Sequence, residues 1–216
     1  MSSGLFLSLA LGSMAVGALH SLAPDHWLPF AAVARARGWS VGRTARITVL
    51  CGLGHVTGSV VLGLLGLLLG VEAFARFGSR MEQVAGLLLV GFGLAYGAWG
   101  LRNAAGHRLH GHRHRHYDHV HDASRATAWS LFLLFSADPC VAVSPILFAA
   151  APLGALRTTG VVALYELATI ATMVALVLPA RAGAQRLRWH WLDHYGDAAA
   201  GAFIAVVGIA VTALGW

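Results

Sequence analysis

Long apolar runs alternate with short polar segments along the whole chain. A transmembrane helix needs about 20 mostly apolar residues, and six runs satisfy that length. They are residues 4–22, 47–70, 83–101, 127–152, 158–179 and 197–216. The pattern therefore predicts an all-α integral membrane protein with six transmembrane helices.

Proline and polar residues interrupt the first and the fourth of these runs. The first ends at, or breaks into, Pro24-Asp25-His26, and the fourth contains Asp138-Pro139-Cys140. Because proline removes a backbone donor, helices 1 and 4 are predicted to be broken. The stretch 27–34 is too short to span, and we interpret it as a re-entrant or broken element; a separate short helix is the alternative.

The two halves of the chain have similar patterns. Asp25 precedes His55 by 30 positions in the first half, and Asp138 precedes Glu166 by 28 positions in the second. Since three helices per half is an odd number, the second half would be inverted relative to the first, as in many transporters. We therefore predict two inverted three-helix repeats. They comprise residues 1–101 and 127–216, with a cytoplasmic His-rich loop at 102–126.

Composition and charge support the membrane class. Hydrophobic residues make up 57% of the chain and charged residues 11%, against about 25% charged in soluble domains. All 15 cations are arginine, and six spans place twelve of them on one side and three on the other. The positive-inside rule then predicts a multi-pass protein of a bacterial-type inner (plasma) membrane, with both termini outside and the His-rich loop in the cytoplasm. Cations spread over loops in this way do not form a nucleic-acid-binding face.

A His-x4-Asp-His motif stands at the end of the first run. It consists of His20, Asp25 and His26, and imidazole with carboxylate suits Ni²⁺, Co²⁺ or Zn²⁺. On a continuous helix the two histidines would point about 240° apart. We therefore expect Pro24 to break the helix and an unwound segment to turn Asp25 and His26 inward. A polar cluster that merely ends helix 1 at the interface is the alternative.

His55 lies deep in the second run, where an ionisable residue is a functional hypothesis by default. Gly54 and Gly58 beside it allow another helix to come close. A hydrogen bond between helices would also explain a single histidine here. Together with the motif of the first run, His55 is better explained as a metal ligand.

Asp138, Cys140 and Glu166 are the counterparts in the second half, and we expect them to close the metal site from that side. Glu166 has apolar residues on both sides, so it could be a metal ligand, a proton carrier or a protonated structural residue. Cys140 is equally well explained as a soft ligand or as a small packing residue.

Seven histidines fall within the fifteen residues 107–121, a composition typical of labile metal binding. An accessory metal-binding loop is predicted here, and a solvated loop with incidental histidines is the alternative. The residues are His107, His110, His112, His114, His116, His119 and His121.

His20-x4-Asp25-His26, followed by Gly54-His55 in the next helix, resembles the signature of the nickel/cobalt transporters. Six spans with a His-rich loop between the third and fourth are similar to the NicO-type and UreH-like branches of the wider two-repeat LysE-like superfamily. The resemblance implies that the motif and His55 select the metal. The chain differs from these families at Asp138-Pro139-Cys140, where a Pro-Cys-Pro-like element is expected, and the identity of the metal stays open.

The sequence thus predicts a permease rather than an enzyme, with Ni²⁺ or Co²⁺ as cargo and Zn²⁺ as a further candidate. The expected partners are the lipid bilayer, the ion and coupled protons, and no tightly bound cofactor is expected. Two alternatives stay open. One is a thiol-electron carrier of the cytochrome c maturation type that works through Cys140, and the other is a metal sensor or assembly factor without transport.

Overall fold

The computed structural model describes residues 3–69, 71–109, 118–138, 142–186 and 190–214. Within these ranges it describes the side chains outside 67–69, 71–79, 81–82, 106–109, 118–124, 190–194 and 214. Every regular element in these ranges is helical. The α-helices are α1 (Ser3–His20), α2 (Pro24–Ala36), α3 (Val41–Leu69), α4 (Val71–Leu109), α5 (Asp118–Ala137), α6 (Val143–Ala150), α7 (Ala155–Arg186) and α8 (His190–Leu214), with a 3-10 turn, Ala151–Leu153, before α7.

Five helical segments in the described part of the chain are long and apolar enough to cross a membrane. They are Ser3–His20, Val41–Gly66, Gln83–Ala105, Ala155–Arg186 and Tyr195–Ala213, and they match five of the six predicted runs. Their outer faces keep large apolar side chains exposed, such as Leu7 at 57% and Leu11 at 60% on α1. Contiguous faces of this kind are unfavourable in water and fit contact with lipid.

The break after the first run differs from the prediction. Residues 21–23 form a turn after α1, and Asp25 and His26 lie in the first turn of a separate 13-residue helix, α2. The expected unwound segment at Asp25 and His26 is therefore wrong, and residues 27–34 belong to a separate short helix, which was the alternative to a re-entrant or broken element. The reason is that Pro24 occupies the start of α2, where its missing N–H would be unsatisfied anyway and its fixed φ favours a helix.

The fourth predicted run is divided in the structure. α5 ends at Ala137 and α6 begins at Val143, so Asp138 lies directly after the end of α5. Residues 139–141, including Cys140, lie outside the described residues. The first turns of α5 are polar, so α5 is not among the five segments that are long and apolar enough to cross a membrane.

Several helices are also longer than predicted. α4 continues to Leu109 and α5 begins at Asp118, so the predicted loop 102–126 is helical at both ends. α7 continues through Pro179 to Arg186, beyond the predicted end of the fifth run. These helices continue into polar sequence. A helix satisfies its backbone hydrogen bonds internally, so it can extend beyond the hydrocarbon core of a membrane.

α1 and α2 run together along α7 in the same direction. The hydroxyls of Ser13 and Ser21 donate to the carbonyls of Val161 and Thr169, and each pair is 148 positions apart. Arg35 of α2 donates to the carbonyl of Ala184, 149 positions away. A nearly constant offset of this kind requires parallel helices. Thr169 is the fifteenth of the 32 residues of α7, so the turn after α1 lies level with the middle of that helix.

α5 and α6 run along α3 in a similar way. His55 contacts Phe135 of α5, and Gly63, further along α3, faces Leu147 of α6. The residue numbers of the two contacting partners increase together, so α5 and α6 are parallel to α3. α3 is antiparallel to α7, because Gly52 faces Met173 whereas the later residue Val56 shares a buried cluster with Tyr165, which precedes Met173.

α4 and α8 form the closest helix pair, and they are antiparallel. Gly86 faces Thr212, whereas Gly100, which comes later on α4, faces Ala198, which comes earlier on α8. At the centre, a Cβ added to Gly201 would come within 2.2 Å of the backbone nitrogen of Gly97. Only glycines permit this approach of two backbones.

A cluster of side chains links the end of α2 to three other helices. The Arg37 guanidinium lies 4.2 Å from the ring centre of Trp99 on α4 and donates to the Thr127 hydroxyl on α5 at 3.0 Å. Its Nε lies 3.4 Å from the carboxylate of Asp197 on α8. Arg37 therefore joins three helices around the end of α2, and we call these four residues the Arg37 cluster.

Candidate metal site

Three histidine side chains meet near the centre of the helical bundle. His20 ends α1, His26 lies in the first turn of α2 and His55 is the fifteenth of the 29 residues of α3. One ligand nitrogen from each ring lies within 4.8 Å of the others. The ring centres are 4.4 Å apart for His20 and His26, 5.1 Å for His26 and His55, and 6.3 Å for His20 and His55.

The turn between α1 and α2 explains how His20 and His26 converge. In that turn the Leu22 and Ala23 amides donate to the carbonyls of Leu19 and His20, at 3.1 Å each, and α2 restarts at Pro24. The restart changes the helical phase between the two rings, which a continuous helix would hold on different faces. The sequence predicted a break between the two rings, but the structure places it in the turn of residues 21–23, before Pro24, which starts α2.

Second partners orient two of the rings. His26 Nδ1 is 2.9 Å from Oδ1 of Asp25, and His55 Nδ1 is 3.1 Å from the carbonyl oxygen of Phe135. Because both partners accept, each Nδ1 carries a hydrogen, and in the neutral imidazole Nε2 then carries the lone pair. This arrangement of a carboxylate or carbonyl behind a histidine is common around metal ligands.

The Nε2 atoms of His26 and His55 are buried and have no hydrogen-bond partner among the described residues. The side chains themselves are almost inaccessible, with 3% and 1% of their surface exposed. A buried acceptor without a partner is costly. A metal ion between the rings would satisfy both lone pairs at once.

The present spacing fits a site that contracts when an ion enters. Metal–imidazole bonds of 2.0–2.1 Å place neighbouring ligand nitrogens about 3.3 Å apart in a tetrahedral site. The observed ligand nitrogens lie within 4.8 Å of one another. Ring rotations that move each nitrogen by about an ångström would therefore bring them to the spacing of a metal site.

The three rings line a cavity of ≈ 350 Å³ between the two halves of the chain. Asp25 lines it on the side of the first half, and Asp138, Ala142 and Pro145 line it on the side of the second half. Asp138 is close enough to interact electrostatically with all three histidines. Two carboxylates around one cavity can offset the two charges of a divalent ion, which a buried cation requires.

Of the other predicted site residues, Asp25 and Asp138 line the cavity, but neither belongs to the group of three converging ligand atoms. The carboxylate of Asp25 contacts His26 instead. Glu166, on α7, is partly buried but does not line the cavity. Cys140 lies outside the described residues. So do the side chains of all seven histidines of the accessory loop.

Some residues of the site had no signal in the sequence. The carbonyl of Phe135 is a backbone group, so its contact with His55 depends only on how α5 packs on α3. Gly86 and Leu89 of α4 and Val211 of α8 also line the cavity, although they look like ordinary residues of apolar spans. A motif search cannot find such wall residues, because they contribute shape rather than chemistry.

No protein-family model, no curated protein and no solved structure matches this chain.

Proposed function

We propose that this chain is a membrane permease for a divalent transition-metal ion, with Ni²⁺ or Co²⁺ as the cargo. The observation that carries the proposal is the convergence of His20, His26 and His55, whose ligand nitrogens lie within 4.8 Å of one another. Three imidazoles with carboxylates nearby suit borderline divalent metals such as nickel, cobalt and zinc.

The depth of the cluster supports transport rather than surface binding. Ser21 directly follows His20 and bonds to Thr169, near the middle of the 32-residue α7. His55 is likewise at the middle of α3. Transporters place their ion sites at this depth, at breaks in helices, because an ion there can be reached from either side in turn.

Helix directions support a six-span arrangement of two inverted repeats. α1 with α2 is parallel to α7, α5 with α6 is parallel to α3, and α3 is antiparallel to α7. It follows that α1 with α2 runs opposite to α5 with α6. Each pair then acts as one broken span, so the two breaks face each other across the cavity that holds the histidines.

The Arg37 cluster provides a closed end for alternating access. It holds α2 against α4, α5 and α8, at the end where the arginine distribution predicts the cytoplasm. In our proposal, the ion leaves or enters this end when the cluster opens and α2 moves away from α8. The accessory His-rich loop would collect or release the ion on the same side.

The geometry gives the thiol-electron carrier less support. Cys51 is fully buried in the apolar core and does not line the cavity with the histidines. A relay would need a second thiol facing Cys140 across the breaks, and His26 occupies the matching position in the first half. A sensor without transport would use the same three histidines, so only a flux measurement separates it from a permease.

Metal flux into proteoliposomes tests the proposal. Ni²⁺, Co²⁺, Zn²⁺ and Mn²⁺ are added in parallel to vesicles with a trapped metal indicator. The seven loop histidines are replaced by asparagine, so that the loop does not mask the site. We expect flux of one or two of these ions, with a loss of at least about 100-fold in His26→Ala and in His55→Ala, since each removes one ligand of a closed set.

His190→Ala is the matched control, because it removes a histidine at the start of α8 that belongs neither to the motif nor to the His-rich loop. Its flux should equal that of the parent. Equal flux in His55→Ala would show that the assigned site is wrong. Metal binding that depends on the three histidines but comes without flux would establish the sensor instead.

A further inference from the structure

A second cavity lies between α3 and α5, apart from the histidine site. Its volume is ≈ 690 Å³, and Arg43, Arg46 and Arg125 line it together with Leu50, Trp129 and Phe132. The metal proposal gives these residues no role. The combination of three guanidinium groups with apolar and aromatic walls needs its own explanation.

Parallel packing brings the arginines together. Arg43 and Arg46 lie near the start of α3, and Arg125 lies in the early part of α5. Because the two helices run in the same direction, their arginines share one level, and the apolar residues that follow share the next. The cavity is therefore cationic at the end of the bundle and apolar toward the membrane interior.

The arginines keep most of their donors available. Arg46 donates from Nε to the Gly42 carbonyl at 3.3 Å, and Arg43 lies 5.3 Å from the ring centre of Trp39. Among the side chains that the structure describes, no carboxylate pairs with any of the three. A guanidinium has five N–H donors, so the group can bind several phosphate oxygens at once.

The cavity also opens toward lipid. Trp129 is 65% exposed and Leu50 is 56% exposed, and both belong to the outer faces of their helices. Acyl chains can lie against such residues, whereas a soluble anion gains nothing from them. Basic pockets between membrane helices on the cytoplasmic side are typical sites for anionic lipid headgroups.

We propose that this cavity binds an anionic phospholipid, with its phosphate on Arg43, Arg46 and Arg125 and its acyl chains along Leu50 and Trp129. The site is independent of the metal cluster. A bound lipid would hold the start of α3 against α5, the helix pair that carries His55 and its partner Phe135.

Quenching of tryptophan fluorescence by brominated lipids tests this site. The full chain is reconstituted in nanodiscs of phosphatidylcholine, in the presence of a chelator, and dibrominated phosphatidylglycerol or dibrominated phosphatidylcholine is added. The Trp129→Phe variant isolates the signal of Trp129. We expect the phosphatidylglycerol to quench Trp129 at lower lipid fractions than the phosphatidylcholine.

Two matched double variants separate the cavity from general surface charge. Arg46→Gln with Arg125→Gln removes two exposed arginines of the cavity. Arg102→Gln with Arg186→Gln removes two exposed arginines from the same predicted side that do not line it. At about fivefold per arginine, the first pair should weaken the preference for phosphatidylglycerol by about 25-fold, and the second by less than twofold.

Three results would overturn the lipid assignment. Equal quenching by both brominated lipids would remove the charge selectivity, and equal losses in both double variants would reduce it to surface charge. Competition by millimolar glycerol 3-phosphate would identify a site for soluble phosphates. Because no metal is present, none of these results depends on whether the chain transports metal.

Discussion

The two helix pairs α1–α2 and α5–α6 share one plan but carry different chemistry. In the first, a turn separates α1 and α2, and imidazoles stand on both sides of it, at His20 and His26. In the second, Asp138 follows α5, and the flanking residues Ser136 and Ser144 have buried hydroxyls without hydrogen-bond partners among the described residues. Nitrogen donors thus concentrate in one half, and the carboxylate of Asp138 lines the same cavity from the other.

In the permease that we propose, this difference suits one shared ion better than two equivalent sites. With His55 added from α3, the first half can hold a metal by itself, whereas the second half offers a carboxylate that can complete the coordination or neutralise the charge. An asymmetric pair also allows the second half to move away while the ion stays on the first. Such a separation is what alternating access requires.

The halves also pack through different surfaces. Where α1 meets α7, the glycine is on α1, and a Cβ on Gly17 would lie 2.8 Å from the carbonyl of Tyr165. Where α5 meets α3, the glycine is on the long helix α3, and a Cβ on Gly58 would lie 2.8 Å from the carbonyl of Ser136. The same closeness is achieved with the small residue on opposite partners.

The largest effect should follow from filling these contacts. Gly17→Val and Gly58→Val should each lower the free energy of unfolding by up to about 3 kcal/mol, because the opposing atom is backbone and cannot rotate away. Denaturant titration in detergent micelles measures this. Gly12→Val is the control, since nothing lies within 4 Å of a Cβ there. An equal loss in Gly12→Val would mean that valine itself, rather than the contact, weakens the helix.

Asp25→Asn should weaken metal binding by about thirtyfold, within the range for residues that orient a ligand. The carboxylate fixes the ring of His26, and an amide holds it less well. Calorimetric titration of Ni²⁺ or Co²⁺ into the chain without loop histidines measures the affinity. X-ray absorption should still detect three imidazole nitrogens on the metal. The loss of one nitrogen or of a carboxylate oxygen from the spectrum would contradict this role.

Asp138→Asn should weaken binding less, by about tenfold, because it removes one charge from the cavity wall and leaves the three rings in place. Asp138→Glu keeps the charge and serves as the control. The same titration applies. A loss larger than that of Asp25→Asn would reverse the comparison and make the second half the main binding side.

Glu166→Gln should have the smallest effect, less than about twofold on affinity, since this side chain does not line the cavity. Its flux in proteoliposomes should also stay close to that of the parent. If it lost as much affinity as Asp138→Asn, the site would have to extend along α7, as the sequence alone had suggested.

The sequence by itself determined the helical class, five of the apolar spans and the candidate ligands of the first half. Each of these follows from local information, because apolar length marks a span and His20, Asp25 and His26 stand within seven residues. The break near Pro24 was also predictable, since proline has no amide hydrogen. Its placement was not, because a proline can start a helix as well as end one.

Only the tertiary structure decided which of these groups meet. In the sequence, Asp25 and Glu166 are both carboxylates next to or within apolar runs. In the structure, Asp25 contacts His26, whereas Glu166 does not line the cavity. The orientation of His55 depends on the Phe135 carbonyl, 80 positions away, and every residue has such a carbonyl. Pairing of distant helices results from the close fit of whole faces, which no short stretch of sequence encodes.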